Sequence, residues 1–373
     1  MSAAIDPKRI VLAAGGTGGH VFPAEAMAEA LLGRGYDLAL LTDARGQAYG
    51  GALGRLPTYP LRAGGIAGRG VLRRIKAVAD LGVGVLQARR LLAELKPAVV
   101  VGFGGYASIP GMVAAIRRGV PTVIHEQNAV LGRANRLLAP HVSRIATSFA
   151  EVAALPRAAR VELVGMPVRP AIAALADAPF PALSEDGLIE ILVIGGSQGA
   201  TVLSQVVPAA MTALPAAMKA RIRLSQQCRP ADIEAARAAY ADSGLAVELA
   251  TFFDDVPQRL ARAHLAIARA GASTVAEFTA AGRPAILVPY PHAIDDHQTA
   301  NAQAIAEKGG AWLMPQDAFT AESLAARLET LFAQPRTLES AAACARAAGT
   351  PDAAARLADL VAALPPETEE TKR

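Results

Sequence analysis

Aromatic side chains are scarce in this chain: one Trp, six Tyr and nine Phe make up 4% of 373 residues. So few rings leave little to stack on unpaired bases, which argues against a nucleic-acid partner. Cysteine is scarcer still. Cys228 and Cys344 are the two, far apart and without a CxxC companion, so a secreted disulfide scaffold is excluded and a reducing cytoplasm is expected. There is no repeat of fixed period, and no apolar run long enough to span a bilayer. Residues 97–116 and 191–218 carry no charge, but glycines and prolines interrupt both, so they read as buried strand, Gly-rich turn and helix. The charges at Asp6, Lys8 and Arg9 precede only a very short apolar run, which reads as a first strand rather than a signal peptide.

Hydrophobic residues make up 52% of the chain and charged residues only 19%, enough apolar surface for large packed cores. The net charge of +4 conceals a division. Residues 1–170 hold 21 Lys/Arg against 10 Asp/Glu, while residues 171–373 hold 16 against 23, so the first half is suited to an anionic surface or ligand. Apolar strands alternate with Ala-rich helical stretches. Strands are expected at 9–13, 37–42, 98–102, 122–125 and 144–147, with helices at 24–32 and 72–95. The pattern restarts after 164–170 (VGMPVRP), with strands expected at 189–194, 221–225, 247–249, 265–268 and 285–288. This alternation predicts an α/β protein of two Rossmann-like, doubly wound parallel sheets facing across a cleft, with ligands outside the carboxyl ends of the strands.

Three strand-to-helix junctions are candidates for binding an anion. The first is Gly15, Gly16, Thr17, Gly18, Gly19 and His20; its glycines let backbone approach a ligand, and the next helix offers free N–H groups. It is not a P-loop, because no Gly-Lys-Ser/Thr follows, and Val21 breaks the G-x-G-x-x-G spacing. The second, Gly195, Gly196, Ser197, Gln198 and Gly199, can converge N–H groups and a hydroxyl on a pyrophosphate. The third runs from Arg269 to Glu277. Either Ser273 or Thr274 caps its helix, or the helix N–H groups face a nucleotide while Glu277 accepts bonds from ribose hydroxyls. His292, Asp295, Asp296, His297 and Gln298 form a polar loop suited to a sugar; no HExxH or Cys/His cluster supports a metal there. Gly102–Ser108 and His125–Asn128 also follow apolar strands, although a buried, satisfied histidine is the common explanation for a residue such as His125.

Seven motifs in order, GGTGGHVFPA (15–24), GFGGYAS (102–108), HEQNAVLGRANRLLA (125–139), VGMPVR (164–169), GGSQGA (195–200), RAGASTVAEF (269–278) and DDHQTANA (295–302), resemble the MurG family of bacterial glycosyltransferases over nearly the whole chain. The resemblance implies a GT-B fold, with an acceptor domain over 1–168, a donor domain over 169–348 and a terminal helix near 349–365 returning to the first. It also implies an inverting transfer of GlcNAc from UDP-GlcNAc to the C4 hydroxyl of the muramyl sugar in undecaprenyl-pyrophosphoryl-MurNAc-pentapeptide (lipid I), giving lipid II for peptidoglycan. No cofactor or metal is implied. Carried over motif by motif, the donor is held by Thr17, Gly18, Gly19, Asn128, Arg169, Ser197, Gln198, Phe253, Ala272, Ser273, Thr274, Val275, Ala276, Glu277 and Gln298. His297 stands where some relatives carry a second glutamine. Gly104, Gly105 and Tyr106 are assigned to the acceptor.

An inverting displacement needs a base for the acceptor hydroxyl and stabilisation of the departing diphosphate. His20 is the first choice of base, with His125 or Glu126 in reserve. Two rival readings stay open here: another GT-B enzyme or sugar-nucleotide epimerase, and a non-catalytic UDP-GlcNAc-binding regulator. Arg69, Arg73, Arg74 and Lys76, interleaved with Val71, Leu72, Ile75 and Ala79 at helical spacing and extended by Arg117 and Arg118, suggest docking on an anionic membrane surface. With the lipid-linked acceptor, this gives a peripheral protein on the cytoplasmic side of the inner membrane, with other cell-wall synthesis proteins as possible neighbours.

Overall fold

The computed structural model describes residues 6–16, 18–44, 49–63, 71–184, 186–196 and 199–364. The chain forms two compact units, Met1–Arg169 with Asp352–Arg373, and Pro170–Pro351.

In the first unit the elements run β1 (Asp6–Ala13), α1 (Gly18–Gly33), β2 (Asp37–Thr42), β3 (Thr58–Pro60), α2 (Val71–Leu95), β4 (Pro97–Gly102), α3 (Gly105–Arg117), β5 (Thr122–Glu126), α4 (Arg133–Leu138), β6 (Arg144–Thr147) and β7 (Val161–Leu163). The strands make one parallel sheet in the order β3-β2-β1-β4-β5-β6-β7. Leu12 of β1 pairs with Leu40 of β2 and Val101 of β4. Successive residues of a strand point to opposite faces. Ile10 and Leu12 accordingly join one core with Met27 and Leu31 of α1, while Val11 and Ala13 join another with Leu92 of α2 and Met112 of α3. Burial on both faces explains why these strands read as continuous apolar runs.

The second unit runs α5 (Pro170–Ala173), β8 (Ile189–Ile194), α6 (Thr201–Ala213), α7 (Ala216–Lys219), β9 (Ile222–Gln227), α8 (Ile233–Tyr240), β10 (Ala246–Ala250), α9 (Val256–Arg262), β11 (Leu265–Ala268), α10 (Ala272–Ala280), β12 (Ala285–Leu287), α11 (His297–Ala306), β13 (Ala311–Leu313), α12 (Ala321–Phe332) and α13 (Pro335–Ala348). Its parallel sheet has the order β10-β9-β8-β11-β12-β13. The last helix, α14 (Ala353–Ala362), belongs to the first unit, where Leu357 and Val361 pack in the same core as Ile10 and Met27.

Three strands had no counterpart in the sequence expectation. β3, β7 and β13 are three-residue edge strands, and all of β7 is exposed, so none displays a buried apolar run. Helix α1 also starts at Gly18, earlier than the expected residue 24, and carries Pro23 inside it.

Each sheet reverses its strand order once, between β1 and β4 and between β8 and β11. Loops leaving two neighbouring strands at such a point diverge to opposite faces, and the crevice between them is where open α/β sheets bind ligands. The Gly loops after β1 and β8 lie at these two points.

Leu357 is fully buried. Leu357→Ala should therefore lower unfolding free energy by about 2–5 kcal/mol, read from urea denaturation; a loss under about 1 kcal/mol would show that α14 contributes little to the first core.

Candidate active site

At the first reversal, the chain leaving β4 turns through Gly104 and Gly105, at φ +81° and +69°, before α3 begins. This turn brings backbone against His20 of α1: a Cβ at Gly105 would stand 3.1 Å from His20 Cδ2. His20 Nδ1 lies 3.3 Å from Gln127 Oε1. Gln127 Nε2 donates to the Phe103 carbonyl (2.9 Å) and the His125 carbonyl (3.1 Å), and stands 3.2 Å from His125 Nδ1. His125 Nε2–H donates to the Gly165 carbonyl at 3.0 Å. Burial, with a smaller effect from His20, overrides the raising effect of the Gly165 bond and holds the pKa of His125 down at about 4.

Glu126 is buried beside this chain of bonds. One carboxylate oxygen accepts from the backbone N–H and side chain of Asn128, and the other from Gly132 N–H (2.9 Å) and Asn135 Nδ2 (2.8 Å). Four donors on one carboxylate tie down the loop from 127 to 132. Asn135 Oδ1 is buried and has no partner among the described residues.

At the second reversal, Gly195 N–H donates to Gln227 Oε1 (3.2 Å), and a Cβ at Gly195 would strike Ala200 N at 2.5 Å. The neighbouring junction leads from β11 into α10, whose N-cap is Gly271 with no side-chain cap. Neither Ser273 nor Thr274 caps this helix, because it begins at Ala272 and both lie inside its first turn. The Ser273 hydroxyl is buried and unpartnered among the described residues. Free N–H groups at a helix start carry partial positive charge and favour an anion. Ala276 and Glu277 follow one turn further along the half-buried face.

Phe253 is buried beneath Arg259, whose guanidinium carbon sits 3.9 Å from the ring centroid. Arg259 donates twice to Glu248 (2.6 and 2.7 Å) and also to Asp255 (2.7 Å) and Ser225 (2.7 Å). Hydrogen bonds from Arg259 hold both carboxyls below their ordinary pKa. Before α11, Asp295 and Asp296 both adopt left-handed φ, at +53° and +50°. Such strain persists where the surroundings over-determine it. Thr299 Oγ1 donates to Asp296 (2.7 Å), His297 Nδ1–H to the Ile294 carbonyl (2.8 Å), and Tyr290 N–H to Gln298 Oε1 (3.0 Å).

Residues 10–147 match the glycosyltransferase family 28 N-terminal domain, and residues 190–357 match the glycosyltransferase family 28 C-terminal domain. A protein of Paramagnetospirillum magneticum named UDP-N-acetylglucosamine–N-acetylmuramyl-(pentapeptide) pyrophosphoryl-undecaprenol N-acetylglucosamine transferase is 63% identical over 359 residues, covering 96% of this chain and 97% of that protein. Its namesake in Rhodospirillum rubrum is 59% identical, covering 96% of this chain and 92% of its own. The crystal structure of Acinetobacter baumannii MurG matches with a TM-score of 0.79 at 32% identity, over 96% of this chain and all of that one. The chain belongs to the MurG family.

Among the residues that the MurG resemblance singles out, His20, Gly104, Gly105, His125 and Glu126 gather at the first reversal, with Gly18, Gly19, Tyr106 and Asn128 beside them in chain. Ala272–Glu277 form the start of α10 at the second. Thr17, Ser197 and Gln198 lie outside the described residues. His125 and Glu126 are buried, and their polar atoms are hydrogen-bonded inside the protein. Gln127 and Asn135 were missed. Gln127 stands inside the HEQN motif, which was a signal; Asn135 stands nine residues beyond Glu126 on α4, and only folding brings its amide to the carboxylate.

His125 makes folding pH-dependent. The unfolded chain takes up this proton near pH 6.5, the folded chain only near about 4, so stability falls as pH drops between those values. The loss should reach about 2 kcal/mol at pH 5. Urea midpoints at pH 7 and pH 5 should show a smaller difference in His125→Gln, with a remainder from His264, whose pKa burial also lowers. An unchanged difference would mean that His125 is charged in the folded state.

Proposed function

We propose that this chain transfers GlcNAc from UDP-GlcNAc to the C4 hydroxyl of the lipid-linked muramyl-pentapeptide, forming lipid II for peptidoglycan. The observation that carries the reading is 63% identity to a named transferase over almost the full length of both chains. The rival epimerase and regulator readings have no comparable support.

The second unit supplies most of the donor contacts. Phe253 backbone meets the uracil, Glu277 accepts from ribose hydroxyls, and the N–H groups of Ala272, Ser273 and Thr274 with the loop at 195–199 receive the diphosphate; Val275 and Ala276 continue that wall. Gln298 and His297 read the sugar hydroxyls. In the first unit, the family motifs assign Thr17, Gly18, Gly19, Asn128 and Arg169 to the donor, and Gly104, Gly105 and Tyr106 at the start of α3 to the acceptor. His20 Nε2 takes the proton of the acceptor C4 hydroxyl. That oxygen's electron pair forms the bond to the anomeric carbon as the bond to UDP breaks, and the leaving pair stays on the diphosphate. Helix N-terminal N–H groups stabilise that charge.

Among the described residues no helix is long and apolar enough to cross a membrane. Access to a polyprenyl acceptor then requires a surface. α2 exposes Val78 (61%), Val83 (38%) and Leu86 (60%) beside Lys76, Arg89 and Arg90, and Arg117 and Arg118 are exposed at the end of α3. Arg69 and the side chains of Val71, Leu72, Arg73, Arg74 and Ile75 lie outside the described residues. Basic residues near an anionic leaflet contribute about 1 kcal/mol each, enough for reversible docking on the inner face of the cytoplasmic membrane.

Purified protein with UDP-GlcNAc and a short-chain lipid I analogue should form the disaccharide product. His20→Ala should cut turnover by about 10²–10⁴ with little change in donor affinity, and Glu277→Ala should weaken UDP binding by about 1–3 kcal/mol in calorimetry. Absence of any transfer by the wild type would overturn the reading.

Sedimentation with anionic vesicles should capture the protein at low salt and release it at high salt. Undiminished capture after Arg73, Arg74 and Lys76 are changed to Glu would remove this helix as the docking element.

A further inference from the structure

His20 has two ring nitrogens, and only one can carry the lone pair that accepts a proton. The structure decides between them through a residue that no motif role covers. Gln127 is buried at the end of β5, with its Nε2 between two backbone carbonyls, Phe103 at 2.9 Å and His125 at 3.1 Å. Carbonyl oxygens accept only, so the nitrogen of the amide must face them, and its oxygen must face His20 Nδ1 at 3.3 Å. An amide oxygen accepts only as well. His20 therefore carries its proton on Nδ1.

We infer that Gln127 is a positioning residue that holds His20 in the Nδ1–H tautomer and so makes Nε2 the basic nitrogen. This deepens the reading of His20 as the base and rests on it. The bonds behind Gln127 make the choice one-way. His125 Nε2–H is spent on the Gly165 carbonyl, so His125 Nδ1 carries no proton and faces Gln127 Nε2 at 3.2 Å, where the two amide hydrogens are shared among it and the two carbonyls. His125 is the titratable group facing His20 from β5, and it is neutral at working pH because it is buried away from water. On the other side, the backbone of Gly104 and Gly105 lies against the His20 ring, where a Cβ would come within 3.4 and 3.1 Å of it. When the acceptor proton moves to Nε2, the imidazolium keeps its Nδ1–H on Gln127. The uncharged amide neither takes that proton nor adds a carboxylate to the pocket.

The test needs the full-length chain with ¹⁵N-labelled histidine. Nitrogen NMR near neutral pH assigns the tautomer, and the His20 signals are identified by their loss in His20→Ala. In the wild type, Nδ1 should be protonated and Nε2 bare. In Gln127→Met the signals should move toward the Nε2–H tautomer that histidine favours in water. Turnover with UDP-GlcNAc and a lipid I analogue should fall about 10–10²-fold, with the donor KM within roughly twofold. His20→Ala/Gln127→Met should be no slower than His20→Ala, because Gln127 acts only through His20. A merely structural role would slow the double variant further, and that result overturns the proposal. So does a wild-type proton on Nε2, a measurement that stands even if Gln127→Met does not fold. If His20→Ala keeps full turnover while the wild-type tautomer is Nδ1–H and shifts in Gln127→Met, the assignment of His20 as base fails and the control by Gln127 stands.

Discussion

Every described strand pairing within the two sheets is parallel, and much of the remaining structure depends on that constraint. A parallel strand can reach its neighbour only through a crossover, so all carboxyl ends gather on one edge of the sheet and each is followed by the start of a helix. Loops and helix N-termini, the two parts of a fold most able to receive phosphate, are thus concentrated on one edge. The single reversal in each strand order then selects one crevice on that edge.

In the first unit the crevice is lined by buried polar groups that stabilise geometry more than they add stability. A buried carboxylate is costly unless its lone pairs are used, and Glu126 uses both oxygens on four donors. A buried imidazole stays neutral, and His125 does so at the cost of acid stability. Together they fix the backbone from which Gln127 reaches His20. His20 is half-buried, and the side chains that hold it are buried.

The second unit reaches the same end differently. Phe253 is fixed from above by Arg259, and Arg259 by Glu248, Asp255 and Ser225. Two consecutive left-handed aspartates set the approach to α11, held by bonds from His297 and Thr299. Local hydrogen bonds keep that strain in place at the start of α11.

The amino-acid sequence already carries the α/β class, the repeat of the pattern in two halves, the principal strands of both sheets and the Gly loops at their ends. It could do so because strands buried on both faces are continuous apolar runs, and because a chain that must turn tightly beside a helix start needs glycine. The ordered motifs carried the family. The edge strands β3, β7 and β13 were illegible for the converse reason: each is three residues with one partner, too short to form an apolar run, and β7 is exposed along its length. The division of labour among polar residues emerges only on folding. In one dimension His20 is the first choice of base and His125 and Glu126 stand in reserve, with nothing to show how each is surrounded. The fold buries His125 and Glu126 and leaves His20 half-buried, and a contact across 107 residues between His20 and Gln127 selects which nitrogen of His20 is basic. Burial and hydrogen-bond partnership are properties of neighbours distant in sequence, and neighbours exist only once the chain has folded.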